Sequence, residues 1–119
     1  MLITQRNPGS HLGLLWEFPG GKREPDESFE ECLRRELLEE LGIEVEVQEQ
    51  LECLTHHYPE KSVRLQFYRC ALKSGEPKAL HCHDLAWIES HQLSQYEFPA
   101  ADARLLKKLT DTPELWPDR

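Results

Sequence analysis

The chain has 119 residues, of which 30% are charged and 39% hydrophobic, with a formal net charge of −8 at pH 7. That length suits one domain with a real core and excludes two, and the acidic balance excludes a protein that grips a nucleic-acid backbone. No apolar run approaches a membrane span, no secretory segment is present, and Cys32, Cys53, Cys70 and Cys82 show no C-x-x-C spacing, so reduced thiols in the cytoplasm and no membrane partner are expected.

Met1 to Gln5 reads as a short strand, Asn7 to Ser10 as a turn-rich loop, and Leu14 to Phe18 as a second extended piece. The latter ends at Pro19-Gly20-Gly21, where two glycines let the backbone approach a metal or phosphate, or simply make a tight turn. Lys22, just after, can help to neutralise phosphate charge, while His11 is read as covering its loop.

Ser28 followed by Glu31 spells a capping box, and Gly42 sits where a left-handed C-terminal cap belongs, which predicts a helix over Phe29 to Leu41. Leu33, Leu37 and Leu41, with Phe29 and Leu38 beside them, form its core stripe. Glu36, Glu39 and Glu40 gather on a neighbouring face, where like charges repel by roughly 0.2–0.5 kcal/mol per pair and acids near the C-terminus oppose the dipole. Arg35 lies four residues from both Glu31 and Glu39 and can bridge or orient them, but one cation does not neutralise three carboxylates. The cluster is either a solvated acidic face or a site for a hard divalent cation, Mg²⁺ or Mn²⁺, and the turn of Glu40 towards the apolar side favours the cation.

Beyond the helix, Glu44 to Glu52 alternates as a half-exposed strand, and Leu51 to His57 runs on into a loop through Tyr58. Val63 to Leu72 is the strongest strand, and its change of parity suggests a bulge or burial on both faces. Neither His56-His57 nor the His81 to Asp84 run has the ligand spacing of a zinc site. Leu85 to Glu89 is a short strand, Ser90 to Leu93 a helical turn, and Ala101 to Leu109 a last helix with Leu105, Leu106 and Leu109 inward. Residues 111–119 form a tail in which Leu115 and Trp116 either hang loose or tuck back.

Gly21, five residues, Glu27, seven residues, Arg35-Glu36-Leu37, one residue, Glu39-Glu40, one residue and Gly42-Ile43 match the Nudix box at every defined position. With Trp16-Glu17-Phe18-Pro19-Gly20-Gly21-Lys22 and Phe98-Pro99-Ala100-Ala101-Asp102, the chain resembles the MutT branch of that family from Leu2 to about Leu109. The resemblance implies an α/β Nudix fold over residues 1–110, a mixed sheet sandwiched between helices. It matches Met1 to Gln5 to the family's second strand and leaves the first without a counterpart, so that either the native chain begins upstream of Met1 or a partner strand fills the gap.

The resemblance further implies hydrolysis of a nucleoside triphosphate to monophosphate and pyrophosphate, as monomer or homodimer. Metal would be held by the Gly20 carbonyl, Glu36, Glu39 and Glu40, with Glu36 as the base and Arg35 orienting the carboxylates. Glu27 would anchor its loop or bind metal through water. Arg6 resembles an arginine that reaches phosphates, or is a surface arginine; Tyr58 occupies the place of an aromatic near the base; Asp84 is the nearest carboxylate to a further acidic site. Asp102 either caps the last helix or reads the base, and as an acceptor of two donors it favours oxidised guanine, as in 8-oxo-dGTP. CTP or dCTP, ADP-ribose or a related diphosphate, and a non-catalytic damaged-base module are the alternatives.

Overall fold

In order, the elements are β1 (Leu2–Gln5), β2 (Trp16–Glu17), α1 (Phe29–Leu41), β3 (Glu44–His57), β4 (Ser62–Ser74), β5 (Asp84–Trp87) and α2 (Ala103–Asp111), with 3₁₀ turns at Ser90–Gln95, Ala100–Asp102 and Pro113–Leu115. The computed structural model describes residues Met1–Trp116; Pro117, Asp118 and Arg119, the end of the expected tail, lie outside the described residues. The chain forms two compact units, Met1–Pro19 with the segment from His81 on, and Gly20–Leu80.

In the first unit β1 is the middle strand of an antiparallel sheet ordered β2-β1-β5. Thr4 stands opposite Glu17 on one side and Leu85 on the other, and Ile3 opposite Ala86. Ile3 and Thr4 are both buried although they point to opposite faces, so β1 is covered on both sides. The extended piece expected from Leu14 is shortened to two residues because Leu12 and Leu14 take positive φ of 55° and 64°. Trp16 ties β2 to the segment ahead of α2: its backbone N–H donates to the Glu97 carbonyl at 2.8 Å and its ring meets Tyr96 edge-on at 4.9 Å. In α2, Leu105 and Leu109 are buried and Leu106 is half-buried, as their spacing predicts. Trp116 folds back, its indole N–H donating to the Leu109 carbonyl at 3.1 Å.

In the second unit α1 begins and ends where its caps dictate. Ser28 accepts from the Glu31 backbone N–H, Glu31 accepts from the Ser28 N–H, and Gly42 closes the helix at φ 71°, ψ 26°. The last turn's free carbonyls find partners in the returning chain, where Lys78 N–H donates to Leu41 O and Leu80 N–H to Glu40 O, each at 3.0 Å. Cys32, Leu37 and Leu41 form the buried stripe, with Ile43 just after the helix cap and Val45 of the following strand. Leu38, expected beside that stripe, is 53% exposed, because the stripe is centred on Cys32, Leu37 and Leu41 and Leu38 falls off its edge.

β3 and β4 make a long antiparallel hairpin. Leu51 to His57 keeps the extended character expected of it, and the loop begins only after His57, since pairing with Ser62 to Phe67 satisfies the backbone groups of this stretch. The bulges announced by the parity change fall between Val47 and Gln50 and between Gln50 and Glu52, opposite Cys70, Tyr68 and Phe67. The α/β class is the one expected; among the described residues every pairing is antiparallel and divided between two sheets, since the hairpin uses its ladders internally.

Candidate active site

The loop before α1 is organised by Glu27. Its Oε1 accepts from the Glu24 backbone N–H at 2.8 Å, and its carbonyl accepts from Arg23, whose guanidinium lies 4.7 Å from the Phe29 ring centre. Arg35 then grips Glu27 with two parallel bonds, Nε to Oε2 at 3.0 Å and Nη2 to Oε1 at 2.7 Å. The same guanidinium donates to Glu36 at 2.9 Å, to Glu39 at 3.3 Å and to the Lys22 carbonyl at 3.2 Å. Hydrogen bonding from Arg35, and next from the Glu24 N–H, holds the Glu27 carboxyl down at about 2.

Arg35 therefore bridges Glu27 and Glu39, not Glu31 and Glu39 as helix spacing suggested. Glu31 is taken by the capping box, where the Ser28 backbone N–H and hydroxyl lower its pKa. Four carboxylates converge on one guanidinium, Glu27, Glu36 and Glu39 by hydrogen bonds and Glu24 at 3.8 Å, which leaves an excess of negative charge at the N-terminal loop and mid-helix. A Cβ on Gly21 would run into the Glu36 carboxyl group, so only glycine lets that side chain lie against the loop backbone. Next to it Gly20 has φ 153°, a conformation L side chains rarely adopt.

The donor chemistry fits a hard divalent cation: carboxylate oxygens from Glu36 and Glu39, a glycine backbone beside them, and uncompensated negative charge. Their oxygens are turned to Arg35 rather than to one another, and among the described residues no group of three His, Cys, Asp or Glu is drawn together as a ligand set. Glu40 is half-buried at the end of α1. Lys22 is exposed, and Tyr58 sits in the turn between β3 and β4, its N–H donating to Lys61 O at 2.8 Å and its ring meeting His56 edge-on at 4.6 Å. His57 Nδ1 lies 2.6 Å from Ser62 Oγ, so these adjacent histidines have separate partners.

A second cluster belongs to the first unit. Arg6 Nη1 donates to Glu17 Oε2 at 2.7 Å, and Arg6 Nε to the His11 carbonyl at 2.7 Å. Asp102 is 7% exposed and stands at the start of α2, yet its backbone is αR and its side chain makes no cap hydrogen bond, which overturns the capping reading. Burial, and then the charge of Glu17, push its carboxyl up to about 6. Asp84 is exposed at the start of β5, with Oδ1 accepting from Leu85 N–H at 2.8 Å. Glu17 is the residue that sequence reasoning passed over; it stood in the Trp16 to Lys22 run, and only the folded chain shows that it pairs with Arg6 and that its charge acts on Asp102.

Comparison with known proteins gives the family. A NUDIX domain model matches residues 1–108. An 8-oxo-dGTP diphosphatase of Haemophilus influenzae is 37% identical over 107 residues, 90% of this chain and 79% of the relative. A CTP pyrophosphohydrolase of Escherichia coli is 36% identical over 107 residues, again 90% of this chain and 79% of the relative. The solution structure of the E. coli ORF135 protein superposes with a TM-score of 0.79 at 33% identity, covering 99% of this chain and 84% of that one. On the match to nearly its whole length and on relatives above 30% identity, the chain belongs to the NUDIX domain family.

Proposed function

We propose that this protein hydrolyses a nucleoside triphosphate, 8-oxo-dGTP before others, to the monophosphate and pyrophosphate with the help of Mg²⁺ or Mn²⁺. The observation that carries the reading is the convergence of Glu27, Glu36 and Glu39 on Arg35 beside Gly21, a concentration of hard oxygen donors held in place by one guanidinium. A divalent cation, when bound, would supply neutralisation of the phosphate oxygens and a lower pKa for the attacking water.

Glu36, Glu39, Glu40 and the Gly20 carbonyl would hold the cation. Glu36 would take the proton of the water that attacks phosphorus while the bridging P–O bond breaks and pyrophosphate leaves. Arg35 would position Glu36 and Glu39, and Glu27 would fix Arg35. Arg6 and Lys22 would contact phosphate, Tyr58 would stack on the base, and Asp102 would accept from the N1–H and N2–H₂ of the guanine edge. Residues 1–110 would be the hydrolase domain and 111–119 its tail, a division supported by the family match to residue 108. The four free thiols support the cytoplasm, and the substrate is a small molecule rather than a nucleic-acid polymer; monomer and homodimer remain the two assembly states to test.

A second substrate reading has its own support. With its pKa raised to about 6, Asp102 is protonated in mildly acidic solution and can then donate to N3 of cytosine, which suits a CTP-directed enzyme and accords with the CTP pyrophosphohydrolase relative. The test is a screen of 8-oxo-dGTP, dGTP, CTP, dCTP and ADP-ribose with Mg²⁺, with pyrophosphate and phosphate measured separately. Pyrophosphate release from a triphosphate is expected. Cleavage of ADP-ribose alone, or no cleavage of any, would overturn the proposal.

A further inference from the structure

Thr4 is 1% exposed in the middle of β1, and its Oγ1 is the buried side-chain polar atom that has no hydrogen-bond partner among the described residues. Its cross-strand neighbours do not supply one. Leu85 has no polar side chain, and Glu17 turns its Oε2 to Arg6 at 2.7 Å. A valine would fill the same volume and suit a strand better, so a hydroxyl left bare in this position needs a partner from outside the fold.

The pleat fixes where that hydroxyl faces. Residues directly opposite in an antiparallel sheet share a face, so Thr4 and Glu17 lie on the same side of the sheet, and Arg6, just beyond the end of β1, reaches Glu17 at 2.7 Å. Asp102 is close enough to Glu17 to feel its charge, and its carboxylate too lacks an internal cap bond. Two polar side chains, each more than nine-tenths buried, thus neighbour Glu17 with hydrogen-bonding capacity unused, Thr4 opposite it in the sheet and Asp102 within reach of its charge.

We infer that the Thr4 hydroxyl is a base-binding group of this enzyme, completing its hydrogen bond on the edge of the bound heterocycle beside Asp102. The inference rests on the nucleotide reading above. A hydroxyl both donates and accepts, whereas an ionised carboxylate only accepts. Thr4 therefore suits the carbonyl that neighbours the N–H donors of a guanine-type edge, the group that Asp102 by itself would repel.

The experiment is calorimetric titration of the full chain and its Thr4→Val and Thr4→Ser variants with 8-oxo-dGMP, dGMP, CMP and, as a ligand without a base, pyrophosphate with Mg²⁺. The valine variant should hold the tightest-binding monophosphate about three- to tenfold more weakly, bind pyrophosphate as the wild type does, and melt no lower. Serine should recover most of the loss. Unchanged monophosphate affinity in the valine variant, an equal loss for pyrophosphate, a lowered melting temperature without loss of affinity, or a wild type that binds no monophosphate would each overturn the inference. The two readings separate cleanly. A wild type that holds a monophosphate but releases no pyrophosphate from any triphosphate defeats the proposed reaction alone, and turnover with unchanged affinity in the valine variant defeats the Thr4 contact alone.

Discussion

Arg35 is bound to Glu27, eight residues earlier and outside the helix, by two parallel hydrogen bonds of 2.7 and 3.0 Å, while Glu36 and Glu39 share what remains of its guanidinium. The loop is thereby tied to the helix face, and Glu36 is held at Gly21 by a partner that is itself held.

Glu27→Gln should reveal that coupling through pH. The folded-state pKa of Glu27 is depressed to about 2 from 4.5, so its stabilisation is present above about 4.5 and lost as pH falls towards 2. The wild type should melt higher than the variant at pH 6, with the gap closing in acid, and the variant's kcat should drop roughly ten- to hundredfold through misplacement of Glu36. Melting curves measured from pH 2 to 7 and steady-state kinetics check both; coincident curves would exclude the pair as a stabilising link.

Addition of Mg²⁺ or Mn²⁺ should raise the melting temperature, by the equivalent of about 2.7 kcal/mol at a hundredfold excess over Kd. Glu39→Gln should blunt the shift and reduce turnover strongly. Its Oε2 is also an Arg35 partner, so the variant's melting temperature without metal separates the loss of the ion pair from the loss of a ligand. Full activity in excess chelator would contradict metal dependence.

Gly21→Ala places a methyl group where the Glu36 carboxyl now lies. Since the clash falls on a side chain, the fold should survive with a modest loss of melting temperature, while kcat falls on the order of a hundredfold. Circular dichroism together with kinetics distinguishes this from unfolding. An alanine variant of wild-type kcat would show that the position of Glu36 against the loop is not needed.

Asp102 makes the opposite pH prediction. Its folded-state pKa is raised from 3.8 to about 6, so the native state binds its proton more tightly and this residue's contribution to stability falls as pH rises from about 4 to about 6. Asp102→Asn should remove that loss, on the order of 3 kcal/mol at pH 7.5, and be near neutral at pH 4. The same variant should alter the ratio of kcat/KM for 8-oxo-dGTP and CTP, and in the wild type that ratio should vary between pH 5.5 and 8. A flat difference in melting temperature together with an unchanged ratio would remove Asp102 from both roles.

The boundaries of α1 were legible in the sequence because they are set within a few residues of themselves: Ser28 and Glu31 exchange bonds across one turn, and Gly42 supplies the left-handed cap. The Nudix box was legible for the same reason, as a spacing along one helix and the loop before it. The parity change near Tyr68 announced the bulge, which strand pairing then located on β3.

Tertiary structure decided the rest. Helical spacing offers Arg35 both Glu31 and Glu39, and only the fold of the loop shows that Glu31 is spent on the cap and Glu27 brought within reach. Asp102 has a capping residue's sequence position, but its backbone is already helical and its carboxyl buried, and both depend on how α2 is seated. Thr4 lies in a strand that any pattern would recognise, yet the bareness of its hydroxyl depends on Glu17 turning to Arg6 across the sheet. Local spacing determines which side chains share a helix or a strand; which of two available partners a charge takes is settled by contacts far apart in the chain, and those exist only once it has folded.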